Sequence, residues 1–184
     1  KLATKVAVIY DSSTTYSSRI REAFVKEAGS QGLEIVADEA FTADNATDFS
    51  VQLDKAKEAG AELVFVPIYY QEASVILKQA SDKDFAPIFF GCDGMDGILT
   101  VKNFDTALAE GLMLLTPFST TEESSKAFTE AYVAAYGIEP NQFAADSYDA
   151  VYAIKAALEK SGVAADADFS TVCDAFKTAM TEIT

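Results

Sequence analysis

Histidine is absent from this sequence, and cysteine occurs only twice in 184 residues. Without histidine the chain cannot build a His-ligated zinc site, a Ser-His-Asp triad or a histidine general base. Two cysteines, Cys92 and Cys173, are too few for a four-cysteine metal site or a disulfide framework. We interpret both as ordinary buried or half-buried thiols. These absences exclude the common histidine- and cysteine-based forms of catalysis and metal binding.

Positive charge is also scarce, with 14 Lys and Arg against 29 Asp and Glu, a formal charge of −15 and a sequence pI near 4.2. Phosphate binding is driven by clustered Lys and Arg, so we expect no nucleic-acid partner. The same deficit disfavours adsorption to an anionic membrane surface. The longest apolar run, 63–68, is far shorter than the roughly 20 residues that span a bilayer, so we expect no direct membrane insertion.

Sequence motifs for nucleotides and activated nucleophiles are missing as well. No Gly-x-Gly-x-x-Gly follows the first strand, and there is no Gly-x-x-x-x-Gly-Lys-[Ser/Thr] phosphate loop or Gly-x-Ser-x-Gly elbow. The glycine-containing segment 91–97 lacks the oxygen spacing of an EF-hand and is predicted to be a flexible turn. The sequence therefore predicts no bound cofactor and no metal ion.

What the sequence does contain is a regular alternation of short apolar strands and helices up to about residue 116. Strands that alternate with helices of this length indicate right-handed βαβ units and a parallel sheet. The apolar strand interiors agree, because such strands are covered on both faces. We predict an α/β fold with a doubly wound, parallel five-stranded sheet. The strands are predicted at 5–10, 33–37, 63–67, 87–91 and 111–116, and the helices at 16–29, 48–60 and 72–81, with Asp48 capping the second helix.

The pattern changes after Pro117, where three helices are predicted at 122–136, 144–160 and 169–180 without a strand between them. Amphipathic helices need an apolar surface to cover. Three in succession, after a sheet that already has its own helices, suggest packing on something else. We therefore divide the chain into an α/β lobe at 1–117 and a helical segment at 118–184, and we expect it to be part of a larger two-lobed protein.

Polar and aromatic side chains follow three of the predicted strands, where open α/β sheets bind their ligands. The candidate site residues are Tyr16, Tyr69, Tyr70 and Asp93. Aromatic walls with a carboxylate suit an organic ammonium, because the carboxylate supplies charge and the rings exclude water. Each residue also has a purely structural interpretation: Tyr16 as a surface residue of a helix start, one tyrosine of the pair as core, and Asp93 as a turn former.

At these loops the sequence resembles the second lobe of type I periplasmic binding proteins, the branched-chain amino-acid (Leu/Ile/Val) receptors of ABC transporters. The resemblance covers nearly the whole chain in order and includes Val-Ala-Val-Ile-Tyr-Asp at 6–11 and Pro-Ile-Phe-Phe-Gly-Cys-Asp-Gly at 87–94. The other matching segments are Tyr16, 48–50, 52–53, 63–70, 76–80, 109–111, Phe128, Tyr132, 136–137 and 148–150.

The resemblance implies non-catalytic capture of an amino acid or similar small solute between two lobes. In such receptors the second lobe supplies tyrosines and an acidic residue that receives the α-ammonium, which points to Tyr16, Tyr69 and Asp93 here. The best-known members carry glutamate at the position of Asp93, so aspartate shortens the reach by one methylene group. The first lobe would be absent from this chain, and segment 118–184 would normally pack on it.

The resemblance further implies an extracytoplasmic location, periplasmic or anchored at the cell surface, with the signal peptide outside this chain and a transporter permease as partner. Two alternatives stay open. One is a flavodoxin-like FMN-binding protein, because the run Asp-Ser-Ser-Thr-Thr at 11–15 resembles a hydroxyl-rich phosphate loop. Against it, Asp11 and Asp93 would place negative charge near an anionic cofactor. The other is a lobe of a ligand-sensing receptor or regulator, which uses the same fold.

Overall fold

The computed structural model describes residues 2–183, which form two compact units, one up to Pro117 and one from Phe118 onward. Unit 1 is the sheet-containing part and unit 2 is helical. No helix within the described residues is both long enough and apolar enough to cross a membrane.

Unit 1 is a five-stranded sheet in which every pairing is parallel, in the order β2-β1-β3-β4-β5. The strand order reverses between β1 and β3, so the chain winds in both directions from the middle of the sheet, and the predicted α/β architecture is confirmed. Its elements are β1 (Lys5–Asp11), α1 (Thr15–Ala28), β2 (Glu34–Phe41), α2 (Ser50–Glu58), β3 (Leu63–Val66), α3 (Tyr70–Asp82), β4 (Ile88–Gly91) and β5 (Met113–Leu114).

Side chains of β1 alternate between the two faces of the sheet, as the pleat requires. Val6 and Val8 belong to an apolar cluster with side chains of α1 such as Ile20 and Phe24. The intervening Ala7 and Ile9 belong to a larger cluster that includes residues of both α2 and α3. The helices therefore cover both faces, with α1 on one face and α2 and α3 on the other.

Several predicted boundaries are wrong. β2 runs on to Phe41. β5 has only two residues, because β4 ends at Gly91 and leaves no partner after Leu114, while the positive φ of Gly111 interrupts the extended backbone before Met113. α2 begins at Ser50 after an N-cap at Phe49, since the Asp48 carboxylate accepts from the Ser50 N–H and closes a turn ahead of the helix. The predicted flexible turn contains a short 3-10 helix, Asp93–Met95, between β4 and β5, followed by two more at Ile98–Thr100 and Thr106–Ala109.

Unit 2 consists of α4 (Lys126–Tyr136), α5 (Gln142–Ser161) and α6 (Phe169–Met180). α4 and α5 end at glycines with positive φ, and the side chains of Asn141 and Asp168 cap α5 and α6. Many apolar side chains of these helices are exposed, among them Tyr136, Val151 and Phe169. Cys173 on α6 is exposed as well, so the expectation of a buried or half-buried thiol is wrong for this residue.

Candidate functional site

The candidate site lies at the carboxyl ends of β1, β3 and β4, on both sides of the point where the strand order reverses. The loop after β1 is held by its own polar groups. The Asp11 carboxylate accepts from the Ser13 N–H at 2.8 Å, and the Asp11 N–H donates to the Ser17 hydroxyl at 2.9 Å. Thr14 is the N-cap of α1. These contacts fix the start of α1 and, with it, the position of Tyr16.

Tyr16 and Asp93 are 77 residues apart in the sequence and in direct contact in the structure. The Tyr16 hydroxyl donates to Asp93 Oδ1 at 2.8 Å and accepts from the Gly94 N–H at 3.0 Å. Asp93 and Gly94 open the 3-10 turn that follows β4. The phenol therefore joins the carboxyl end of β1 to that of β4.

Tyr69 completes the group by stacking on Tyr16, with ring centroids 5.0 Å apart and an interplanar angle of 26°. Its side chain is 42% exposed, so part of this aromatic surface remains open to solvent. Tyr70 opens α3 and packs, half-buried, against the apolar cluster of the α2 and α3 face. The structure thus brings Tyr16, Tyr69 and Asp93 together, while Tyr70 lies beside them on the core side. A role in ligand binding stays a prediction for all four residues.

Two side chains at this site, Tyr16 and Cys92, have raised pKa values. Burial raises the pKa of Tyr16; the Gly94 N–H opposes the increase, and the hydrogen bond to Asp93 and its charge add to it. Tyr16 is therefore a neutral donor at physiological pH. Burial, with the negative charge of Asp93 added, also raises the pKa of the Cys92 thiol to about 11. Cys92 consequently stays a thiol rather than a nucleophilic thiolate.

No group of three or more His, Cys, Asp or Glu residues within 2–183 is placed to hold a metal ion. The chemistry that the site offers is a carboxylate beside two stacked phenol rings. Such a group can receive a small organic cation, because the ring faces attract positive charge and the carboxylate accepts charge-assisted hydrogen bonds.

Two residues that support the site, Gly94 and Met95, were not predicted from the sequence. Gly94 supplies a backbone donor, and Met95, which follows it, is fully buried. The only signal in the sequence was the glycine directly after Asp93, which is equally typical of any turn.

The chain is similar to known proteins in both sequence and structure. The family model described as periplasmic binding protein matches residues 1–184. The chain is 27% identical to the Leu/Ile/Val-binding protein homolog 3 of Brucella melitensis, over 86% of this chain and 42% of that protein. It is 25% identical to the leucine-, isoleucine-, valine-, threonine- and alanine-binding protein of Pseudomonas aeruginosa, over 94% of this chain and 45% of that protein.

Among solved structures, the chain is similar to the branched-chain amino acid transporter substrate-binding protein LivJ of Streptococcus pneumoniae, determined in complex with isoleucine. The TM-score is 0.78 and the identity 32%, over 95% of this chain and 48% of that one. The chain therefore spans less than half the length of each of these three relatives.

Proposed function

The chain belongs to the periplasmic binding protein family, and from that membership we propose that it is part of the solute-binding component of an ABC transporter. Its ligand is an amino acid, of the branched-chain class or a similar small solute, captured without chemical change in a cleft between two lobes. The names of the relatives support this ligand class. The similarities give no support to the flavodoxin-like alternative.

The observation that carries the proposal is the contact of Asp93 with the stacked pair Tyr16 and Tyr69 at the switch point of the sheet. Ligands of open α/β sheets bind at such a point. A carboxylate offers about four acceptor positions, so accepting from Tyr16 is compatible with receiving an ammonium group as well. In this proposal Asp93 provides the charge, and Tyr16, Tyr69 and the neighbouring Tyr70 provide the wall.

The experiment compares L-leucine with two analogues that each lack one charged group. Isoamylamine lacks the carboxylate, and 4-methylpentanoic acid lacks the ammonium. In NMR titrations of residues 1–184, leucine and isoamylamine are expected to shift the amide signals of loops 11–16, 69–71 and 92–96, because this lobe recognises the ammonium. The acid and FMN are expected to leave these signals unchanged. None of the four compounds is expected to shift the amide signals of unit 2.

Shifts caused by the acid but not by the amine would contradict the proposal. Because unit 1 would carry one side of a shared cleft, we expect this chain to bind leucine with only millimolar affinity. Such an affinity corresponds to a binding free energy of about 4 kcal/mol. Micromolar or tighter binding in calorimetry would contradict the sharing of the site between lobes.

We further propose that residues 1–117 are the ligand-binding lobe and that residues 118–184 pack on another α/β lobe in an extracytoplasmic protein that delivers its ligand to a permease. The exposed apolar side chains of α4 to α6 support this packing, because amphipathic helices are stabilised by the surface they cover. Hydrogen exchange tests the proposed packing of residues 118–184. The amides of α5 are expected to exchange more slowly in a protein that contains both lobes than in residues 1–184. Equal rates would contradict it.

A further inference from the structure

Gly94 is buried between two loops of the site and has no room for a side chain. A Cβ atom at this position would lie 2.8 Å from the Ile68 carbonyl oxygen and 2.8 Å from the Tyr16 hydroxyl. Real Cβ atoms essentially never come so close, and a backbone carbonyl cannot move aside as a flexible side chain can. The Ile68 carbonyl belongs to the peptide group that leads into Tyr69. Gly94 therefore packs against both elements that hold the aromatic pair.

Space, rather than backbone conformation, is the reason for glycine here. Gly97 and Gly111, in the same connection between β4 and β5, have positive φ values of 99° and 78°, which favour glycine whatever surrounds it. Gly94 is not among the glycines with positive φ. An alanine could adopt its backbone conformation but could not occupy its place.

Close packing also holds the 3-10 turn Asp93–Met95 on its core side. A Cβ atom at Gly91, the last residue of β4, would lie 1.8 Å from Met95 Sδ, so the methionine occupies the space that this glycine leaves open. Met95 is fully buried. The turn that Asp93 opens is thus fixed by Met95 on its core side and by Gly94 on its side toward the aromatic pair.

We infer that Gly94 is a positioning residue for ammonium recognition, one that sets the distance between the Asp93 carboxylate and the Tyr16–Tyr69 stack. The part of this inference that concerns the ligand rests on the proposed function. Gly94 acts in two ways: its missing side chain lets the turn reach the Ile68 carbonyl, and its N–H donates to the Tyr16 hydroxyl at 3.0 Å. Because the Tyr16 oxygen accepts from the Gly94 N–H, the Tyr16 hydroxyl proton is directed to Asp93.

The experiment replaces Gly94 with alanine and uses Gly29→Ala as the matched control. Gly29 has a helical φ of −63°, and nothing lies within 4 Å of a Cβ atom built there. The first measurement is the alkaline titration of Tyr16, followed by phenolate absorbance and assigned by difference from Tyr16→Phe. In the parent chain Tyr16 is expected to ionise above the usual pH range of tyrosine. In Gly94→Ala its pKa is expected to fall towards the ordinary value, because the displaced ring loses burial and its contact with Asp93.

The sign of the linked stability change follows from the raised pKa. A neutral phenol that is favoured in the folded state stabilises the fold fully below its unfolded pKa of about 10, and this contribution is lost as the pH rises above that value. Gly94→Ala is therefore expected to reduce the alkaline loss of stability that the parent chain shows, whereas Gly29→Ala is expected to retain it.

The second measurement is isoamylamine binding by NMR. Gly94→Ala is expected to weaken it roughly tenfold, the effect of about 1.4 kcal/mol, whereas Gly29→Ala is expected to leave it unchanged. In a Tyr16→Phe background the hydroxyl that the new Cβ would meet is absent, so Gly94→Ala should cost less there than in the parent chain. Should Gly94→Ala prevent folding, Tyr16→Phe alone tests the same contact: the Gly94 N–H loses its acceptor, and its amide is expected to exchange faster with solvent than in the parent chain.

A Gly94→Ala chain in which Tyr16 keeps its raised pKa would overturn the inference. The same holds if Gly94→Ala weakens binding equally in both backgrounds, or if Tyr16→Phe leaves the exchange of the Gly94 amide unchanged. Failure of the proposed function gives a different result. Isoamylamine and leucine would then leave the parent chain unaffected, while the Tyr16 titration, which needs no ligand, would still decide the role of Gly94.

Discussion

Asp93→Asn is expected to weaken binding of isoamylamine and of L-leucine by roughly ten- to a hundredfold. Hydrogen bonds to a charged group contribute about 1.5–3 kcal/mol, and each 1.4 kcal/mol is a factor of ten in affinity. Asparagine has nearly the same shape and keeps an oxygen that can accept from Tyr16, whose hydroxyl lies 2.8 Å from Asp93 Oδ1. The substitution therefore removes the charge while preserving the turn. NMR titration of the amide signals at 11–16 and 92–96 measures the change.

Asp82→Asn is the matched control for the loss of one negative charge. Asp82 ends α3, is exposed and pairs with Lys78 at 2.8 Å. Because α3 starts at the carboxyl end of β3, its last residue lies towards the opposite edge of the sheet, and an exposed charge at that distance is largely screened by salt. If Asp82→Asn and Asp93→Asn weakened ligand binding equally, binding would depend only on the net charge of the chain, which is −15. Retained binding in Asp93→Asn would remove this carboxylate from the site.

The sequence predicted the extents of β1 and β3 well and the end of β2 poorly. β1 and β3 each differ from their predicted ranges by one residue, because their interiors are buried on both faces. β2 is an edge strand whose second half contains Asp38 and Glu39, which usually indicate that a strand has ended. In the structure Arg21 donates to Asp38, and Lys55 donates to Glu39. These partners come from two different helices, so local sequence could not reveal them.

The convergence of Tyr16, Tyr69 and Asp93 was predictable because it depends only on topology: residues that follow neighbouring parallel strands meet at one edge of the sheet. The residue pattern did not decide between Tyr69 and Tyr70, and only the family resemblance pointed to Tyr69. β3 ends at Val66 and α3 begins at Tyr70, so the alternation of a strand does not extend to either tyrosine. Gly94 was hidden for a similar reason, since its importance comes from the Ile68 carbonyl and the Tyr16 hydroxyl, which are distant in the chain.

Met95→Ala is expected to lower the free energy of unfolding of unit 1 by about 2–5 kcal/mol, the usual cost of truncating a buried methionine. Met95 is fully buried among the side chains of the α2 and α3 face, next to Gly91. Met113→Ala is the matched control, because Met113 lies on the short edge strand β5 and is 40% exposed. Its truncation is expected to cost much less. Hydrogen exchange of the β1 and β3 amides reports the stability of unit 1 separately from unit 2.

Met95→Leu separates the loss of volume from the loss of methionine itself. Leucine nearly conserves the volume, so the variant is expected to cost less than about 1.5 kcal/mol. Because Met95 holds the turn that carries Asp93, we also expect Met95→Ala to lower the raised pKa of Tyr16 under conditions where the chain is still folded, and Met95→Leu to preserve it. Equal destabilisation by Met95→Ala and Met113→Ala would contradict the anchoring role of Met95. A folded Met95→Ala chain with the Tyr16 pKa unchanged would show that Gly94 and the Ile68 carbonyl suffice to hold Asp93 in place.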